Sequence, residues 1–113
     1  MSMDTTKRIL LFKAGLAPEV RPVPETLYAA QRLIDCKMLE GIPLSGGIYI
    51  MCDEEGLLEG KPANYPIVPW LRGDFYVTRI DDDNDGEDVG LHDGDIDALM
   101  LIFAQTQQLP GGA

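Results

Sequence analysis

Residues 7–13, KRILLFK, set an apolar run between basic ends, the pattern of a short buried strand. The next twelve residues, AGLAPEVRPVPE, carry three prolines and read as an extended connector, with Val20 and Val23 as anchors. Leu27, Ala30, Gln31 and Ile34 then follow the helical period, which predicts a helix from Pro24 to about Asp35. Pro24 suits its first turn, where no N–H is needed, and Glu25 suits the positive end of the helix dipole. Residues 36–43 alternate, with Cys36, Met38 and Glu40 set against Lys37 and Leu39. Residues 48–52, IYIMC, form the next apolar run, and the intervening SGG predicts a tight antiparallel hairpin.

The acids Asp53, Glu54 and Glu55 and the glycine Gly56 close this hairpin's second strand. A proline- and glycine-rich stretch follows and reads as loop, with a short helical turn near residues 66–71. DFYVTRI, residues 74–80, is rich in aromatic and β-branched residues and predicts a strand. Ile96, Leu99, Met100 and Phe103 fall at helical spacing and predict a last helix over residues 96–107, with Asp93, Asp95 and Asp97 at its N-terminus. The expected order is β-α-β-β-β-α. It describes an α+β domain, a mainly antiparallel sheet of about four strands with two helices packed on one face. One domain spans residues 1–113, with a core over 7–108, an acidic loop over 81–95 and a tail over 109–113.

Charge changes the picture more than composition does. The net charge is −10, yet residues 1–73 carry nine acids against eight Lys and Arg. Residues 74–97 carry ten acids and only Arg79. Such a segment repels phosphate, so direct nucleic-acid binding is not expected; a basic protein surface or cations fit it better. No run approaches the ~18 apolar residues of a membrane span, and Ile9 to Phe12 is shorter than the roughly 7–15 residues of a signal core. A cytoplasmic protein with no membrane contact is expected. Cys36 and Cys52 have no metal or disulfide spacing and read as reduced, buried thiols.

Three stretches could carry chemistry. In CDEEG, paired carboxylates could do acid–base work, but strand alternation sends Asp53, Glu54 and Glu55 to different sides. Turn chemistry favours a structural role, with Glu54 hydrogen-bonded to Asn64. In DDDNDGEDVGLH, Asp81, Asp83, Asp85 and Gly86 fit the start of a calcium loop, but His92 stands where a glutamate is needed. A weak cation site at Asp81, Asp83 and Asp85 is the most it offers, and a solvated loop is the plainer reading. Tyr65, Trp70, Phe75 and Tyr76 could line a stacking pocket or simply pack. His92 is the only histidine, and no phosphate-binding, nucleotide-binding or hydrolase motif occurs. Neither a catalytic residue, a resident metal nor a cofactor is expected.

The order of short motifs resembles a family of small phage and mobile-element proteins, domain of unknown function 3846. Leu27 and Gln31 match a helix motif, and Glu40 a strand carboxylate. Asp53, Glu54 and Gly56 match an acidic turn, and Leu58, Gly60 and Asn64 the segment after it. Gly73 matches the entry to a strand, and Leu91 to Asp93 the start of the last helix. The chain departs from the pattern at Ile34 to Cys36, where the family has Val-Gly-Gly, and at Tyr65, where it has Arg. The resemblance covers about residues 8–103 and implies a viral or mobile-element origin, but no activity.

Two expectations for function follow. The first is a non-enzymatic interaction or inhibitor protein that binds a host protein through an acidic face of Asp81, Asp82, Asp83, Asp85, Glu87 and Asp88. The second is a small-molecule or nucleotide-binding protein using residues 64–76, with Glu54, Asn64, Tyr65, Trp70 and Arg72 as binding residues. Phosphate there would have only Arg72, Arg79 and Lys61 to hold it.

Overall fold

In the computed structural model the described residues are 7–56, 60–64, 71–81 and 86–108, with side chains of the last helix described as far as residue 105. The first strand, β1 (Arg8–Phe12), explains the architecture. Ile9, Leu10, Leu11 and Phe12 are all buried, which a strand achieves only when both sheet faces are covered. Leu10 and Phe12 join Ile50, Cys52, Phe75 and Val77 on one face. Ile9 and Leu11 join Ala30, Ile34 and Tyr76 on the other.

Each face receives one helix. Helix α1 (Leu27–Leu33) covers Ile9 and Leu11 through Ala30 and Ile34. Helix α2 (Asp93–Gln108) covers the other face through Ile96, Leu99, Met100 and Phe103. The α+β class with a mainly antiparallel sheet is as the sequence predicts. The expectation that both helices share one face is corrected, because the unbroken apolar run of β1 needs cover on both sides.

Among the described residues the sheet has six strands, against the expected four or so. Its order is β2-β1-β5-β4-β3, with β6 pairing β5 off this path. Strand β2 (Glu19–Pro22) lies in the expected connector and pairs antiparallel with β1. β3 (Leu39–Pro43) and β4 (Ile48–Asp53) form the predicted hairpin, closed through Gly46 and Gly47, both at positive φ. The predicted strand over residues 36–43 begins only at Leu39. β5 (Phe75–Asp81) is the central strand, and Phe75 stacks on Phe12 across it at 4.9 Å. β6 (Glu87–Asp88) pairs with Ile80 and Asp81 at the end of β5.

Both edge strands carry a proline on the open side. Val23 N–H donates to Lys7 C=O, so residues 19, 21 and 23 face β1 and Pro22 faces outward. Glu54 N–H donates to Met38 C=O and Leu44 N–H to Ile48 C=O, which likewise turns Pro43 outward from β4. A proline there removes a donor from an edge that could otherwise pair with another chain. The double variant P22V/P43V is therefore expected to self-associate more than its parent, by roughly two- to tenfold per hydrogen bond gained. Sedimentation velocity over a concentration series would show it as a rising mean mass; coincident profiles would contradict the role of these prolines.

Helix α1 starts later than its pattern predicts. Thr26 is the N-cap, its hydroxyl accepting from Ala29 N–H at 3.0 Å, so Pro24 and Glu25 precede the helix instead of forming its first turn. The helix closes through Asp35, which adopts φ 53°, and Cys36 N–H returns to Gln31 C=O. Helix α2 starts three residues earlier than Ile96. Asp95 accepts from His92 N–H at 2.9 Å, half of a capping box, and this fixes the earlier start. Among the described residues no helix is long and apolar enough to cross a membrane.

Candidate functional site

The end of β4 is a structural knot. Alternation places Ile50 and Cys52 toward α2 and sends Asp53 to the α1 side. Its side chain is fully buried. Oδ1 accepts from Glu55 N–H at 2.9 Å, the local bond of an Asx turn, and Oδ2 meets Lys61 Nζ at 2.7 Å. The same ammonium donates to the Asp35 carbonyl beyond the end of α1. One ion pair thus ties β4, the segment after it and the exit of α1.

Glycines make room for this arrangement. A Cβ at Gly56 would lie 2.9 Å from the Arg72 carbonyl oxygen. Gly73 sits at φ 77°, and a Cβ there would meet the Lys61 side chain at 2.6 Å. Gly73 N–H donates to Pro62 C=O at 2.8 Å. Asn64 is buried, and its Nδ2 donates to both Phe12 C=O and Gly73 C=O at 2.9 Å. Its own N–H donates to Leu71 C=O at 3.0 Å.

Glu54 and Asn64 do not pair. Glu54 is exposed, and the bond its backbone makes is to Met38 C=O. The buried acid of the triplet is Asp53, one residue earlier, and its partner is Lys61. Arg72 is exposed and bridges Ala63 through its backbone. Tyr65 and Trp70, and the helical turn expected near residues 66–71, lie outside the described residues. Phe75 and Tyr76 are core residues. Cys52 is buried, and its thiol is pushed up to about 12, chiefly by burial and then by the charges of Glu40 and Asp53. It stays protonated at neutral pH, whereas Cys36 is only half-buried.

The acidic segment is tied to the fold at several points. Part of the stretch expected as one loop is strand β6, followed by the first turn of α2. Asp88 Oδ1 accepts from the Thr78 hydroxyl at 2.5 Å and from Gly90 N–H at 3.1 Å. Burial, and then the charge of Asp88, raise the pKa of Tyr76 and keep its phenol protonated. Arg79 grips Asp95 with two bonds, at 3.0 and 2.6 Å, and donates to Gly46 C=O at 2.6 Å. Those bonds hold the Asp95 carboxyl below its ordinary range, and they hold Arg79 above its own. Lys7 pairs with Glu87 at 3.0 Å, and Arg8 pairs with Asp93. Asp82, Asp83 and Asp85 lie outside the described residues; Asp81 ends β5 and pairs across to Glu87. Among the described residues no group of three His, Cys, Asp or Glu side chains could hold a metal ion.

Residues 6–104 match the model of the family described as Domain of unknown function (DUF3846). The chain belongs to this family. No curated protein and no solved structure matches it. Asp53, Gly56, Asn64 and Gly73, on which the sequence resembles the family, are dispersed along the chain, and here they converge on the knot beside β4 and β5. At these positions the resemblance falls on residues that hold the fold of this chain. Gln31 has a similar role, its side chain closing onto Lys37 C=O at 2.9 Å.

Of the three cations that could hold a phosphate, two are engaged by carboxylates: Lys61 by Asp53 and Arg79 by Asp95. Sequence reasoning missed the Asp53–Lys61 pair. The signal for it was the register of β4, which puts Asp53 on the same side as Met51, together with a lysine eight residues on.

Proposed function

We propose that the chain is a non-enzymatic interaction protein whose acidic end engages a basic surface of another protein. The observation that supports this reading is the charge balance around β5, β6 and the start of α2. Residues 74–97 hold ten acids, and the cations that ion-pair with them among the described residues are Arg79, Lys7 and Arg8. Within this segment ten acids stand against Arg79 alone, a balance that Lys7 and Arg8 offset only in part. A surface of one sign speeds encounter with a partner of the other and selects against like-charged ones. A mobile-element origin, as the family resemblance implies, would make that partner a protein of the host cytoplasm, with the chain as its inhibitor.

The pairing of β6 with β5 and the clamp on Asp95 favour a presented surface over a merely solvated loop. The competing reading, a nucleotide binder using residues 64–76, retains one exposed cation, Arg72, because the fold uses the side-chain nitrogen of Asn64 and the charge of Lys61.

Native mass spectrometry of the full chain after incubation with a host lysate tests the proposal. The expected result is a bound protein that dissociates between about 0.1 M and about 1 M salt, where the screening length falls from about 10 Å to about 3 Å. The variant D82N/D83N/D85N should capture less of it. An added mass of a few hundred daltons per chain, or a partner held equally by that variant at all salt concentrations, would overturn the reading.

A further inference from the structure

A groove of about 540 Å³ opens beside the acidic end, within the size range of ligand-binding clefts. One wall is apolar, formed by Pro22, Val23 and Pro24 where β2 leaves the sheet. Glu25 continues that wall, and Glu87 and Asp88 of β6 lie across from it. Lys7 also lines the groove, but Glu87 already holds its ammonium at 3.0 Å.

The two remaining carboxylates differ in how they are held. Asp88 is fixed through Oδ1 by Thr78 and Gly90, while its Oδ2 takes no hydrogen bond among the described residues. Glu25 is exposed, and none of the described residues holds its carboxylate. The groove therefore offers a proline and valine wall next to two acids with unused acceptor capacity. A long cationic side chain matches both parts, its methylene stem lying on the apolar wall and its head reaching the acids.

We infer that this groove seats an arginine or lysine side chain from a basic segment of a partner protein. The inference rests on the proposed interaction function and names where the partner's charge is read. Pro22 and Pro24 hold the wall stiff, so little chain entropy is lost on docking. Asp88 is oriented before the partner arrives.

The test is NMR titration of the isotope-labelled full chain with a hexapeptide of alternating glycine and arginine at low salt. Shifts are expected at the amides of Val23, Glu25, Glu87, Asp88 and Gly90. Glu25→Gln should weaken binding by about two- to fivefold, while Asp97→Asn, which removes an exposed charge that lines no part of the groove, should change it less. Glu25 supports no other part of the fold, so its variant keeps the parent spectrum elsewhere. Shifts that map away from the groove, with E25Q binding as tightly as its parent, would overturn the groove and leave the acidic-end reading standing. No shift at any amide at low salt would overturn both.

Discussion

Replacing Asp53 by alanine is expected to destabilise the chain by about 2–4 kcal/mol, a sizeable part of the roughly 5–15 kcal/mol that holds a domain of this size together. The carboxylate is fully buried and lies 2.7 Å from Lys61 Nζ, whose side chain is itself only 16% exposed. Its removal strands an ammonium among Gly73, the Asp35 carbonyl and the end of β4. The lost Asx bond to Glu55 frees the turn as well. Thermal unfolding should show a fall of roughly 10–20 °C. Because most of the cost is an unpaired charge, the double variant D53L/K61M should recover much of it. A D53A variant within a degree or two of its parent would show that the pair does not hold this end of β4.

Asn64 should be nearly as sensitive, for a different reason. Its amide supplies both Phe12 C=O and Gly73 C=O, which join β1 to the entrance of β5. Asn64→Ala removes both of these buried hydrogen bonds and should cost about 1–3 kcal/mol in urea unfolding. Asn64→Asp preserves the size of the side chain but presents a carboxylate to two carbonyls. It should be worse than alanine at neutral pH. If N64D were as stable as its parent, the site would be explained by packing and not by donated hydrogen bonds.

The comparison of these two residues shows how far the sequence was legible. Short apolar runs located β1 and β4, aromatic and β-branched content located β5, and the 3.6-residue period located both helices. β2 was hidden: its four residues contain a proline and bury little, and it is a strand only because β1 offers an edge. β6 was hidden for a similar reason, being two acidic residues held by β5. The placement of α1 opposite α2 was written in the unbroken apolar run of β1, which one covered face does not require. At the candidate site, CDEEG was readable as a turn after a strand. Which acid was buried depended on the sheet register and on the face that α1 covers, so Glu54 was favoured where Asp53 does the work. Asn64 was legible as a structural amide, but its acceptors lie on β1 and Gly73, far away in sequence or set by a left-handed glycine.

On the proposed reading, function and framework occupy different parts of the molecule: the knot of Asp53, Lys61, Asn64 and Gly73 holds the fold, and the acidic end around β6 would meet the partner. Amide hydrogen exchange across the whole chain, alone and saturated with the glycine–arginine hexapeptide, tests that division most directly. The account predicts slow exchange at Asn64 and Gly73 in both states, with peptide-induced slowing confined to residues 21–25 and 79–91. Slowing that appeared instead over residues 53–64 and 71–76, with β6 unchanged, would contradict it and place the binding surface on the knot.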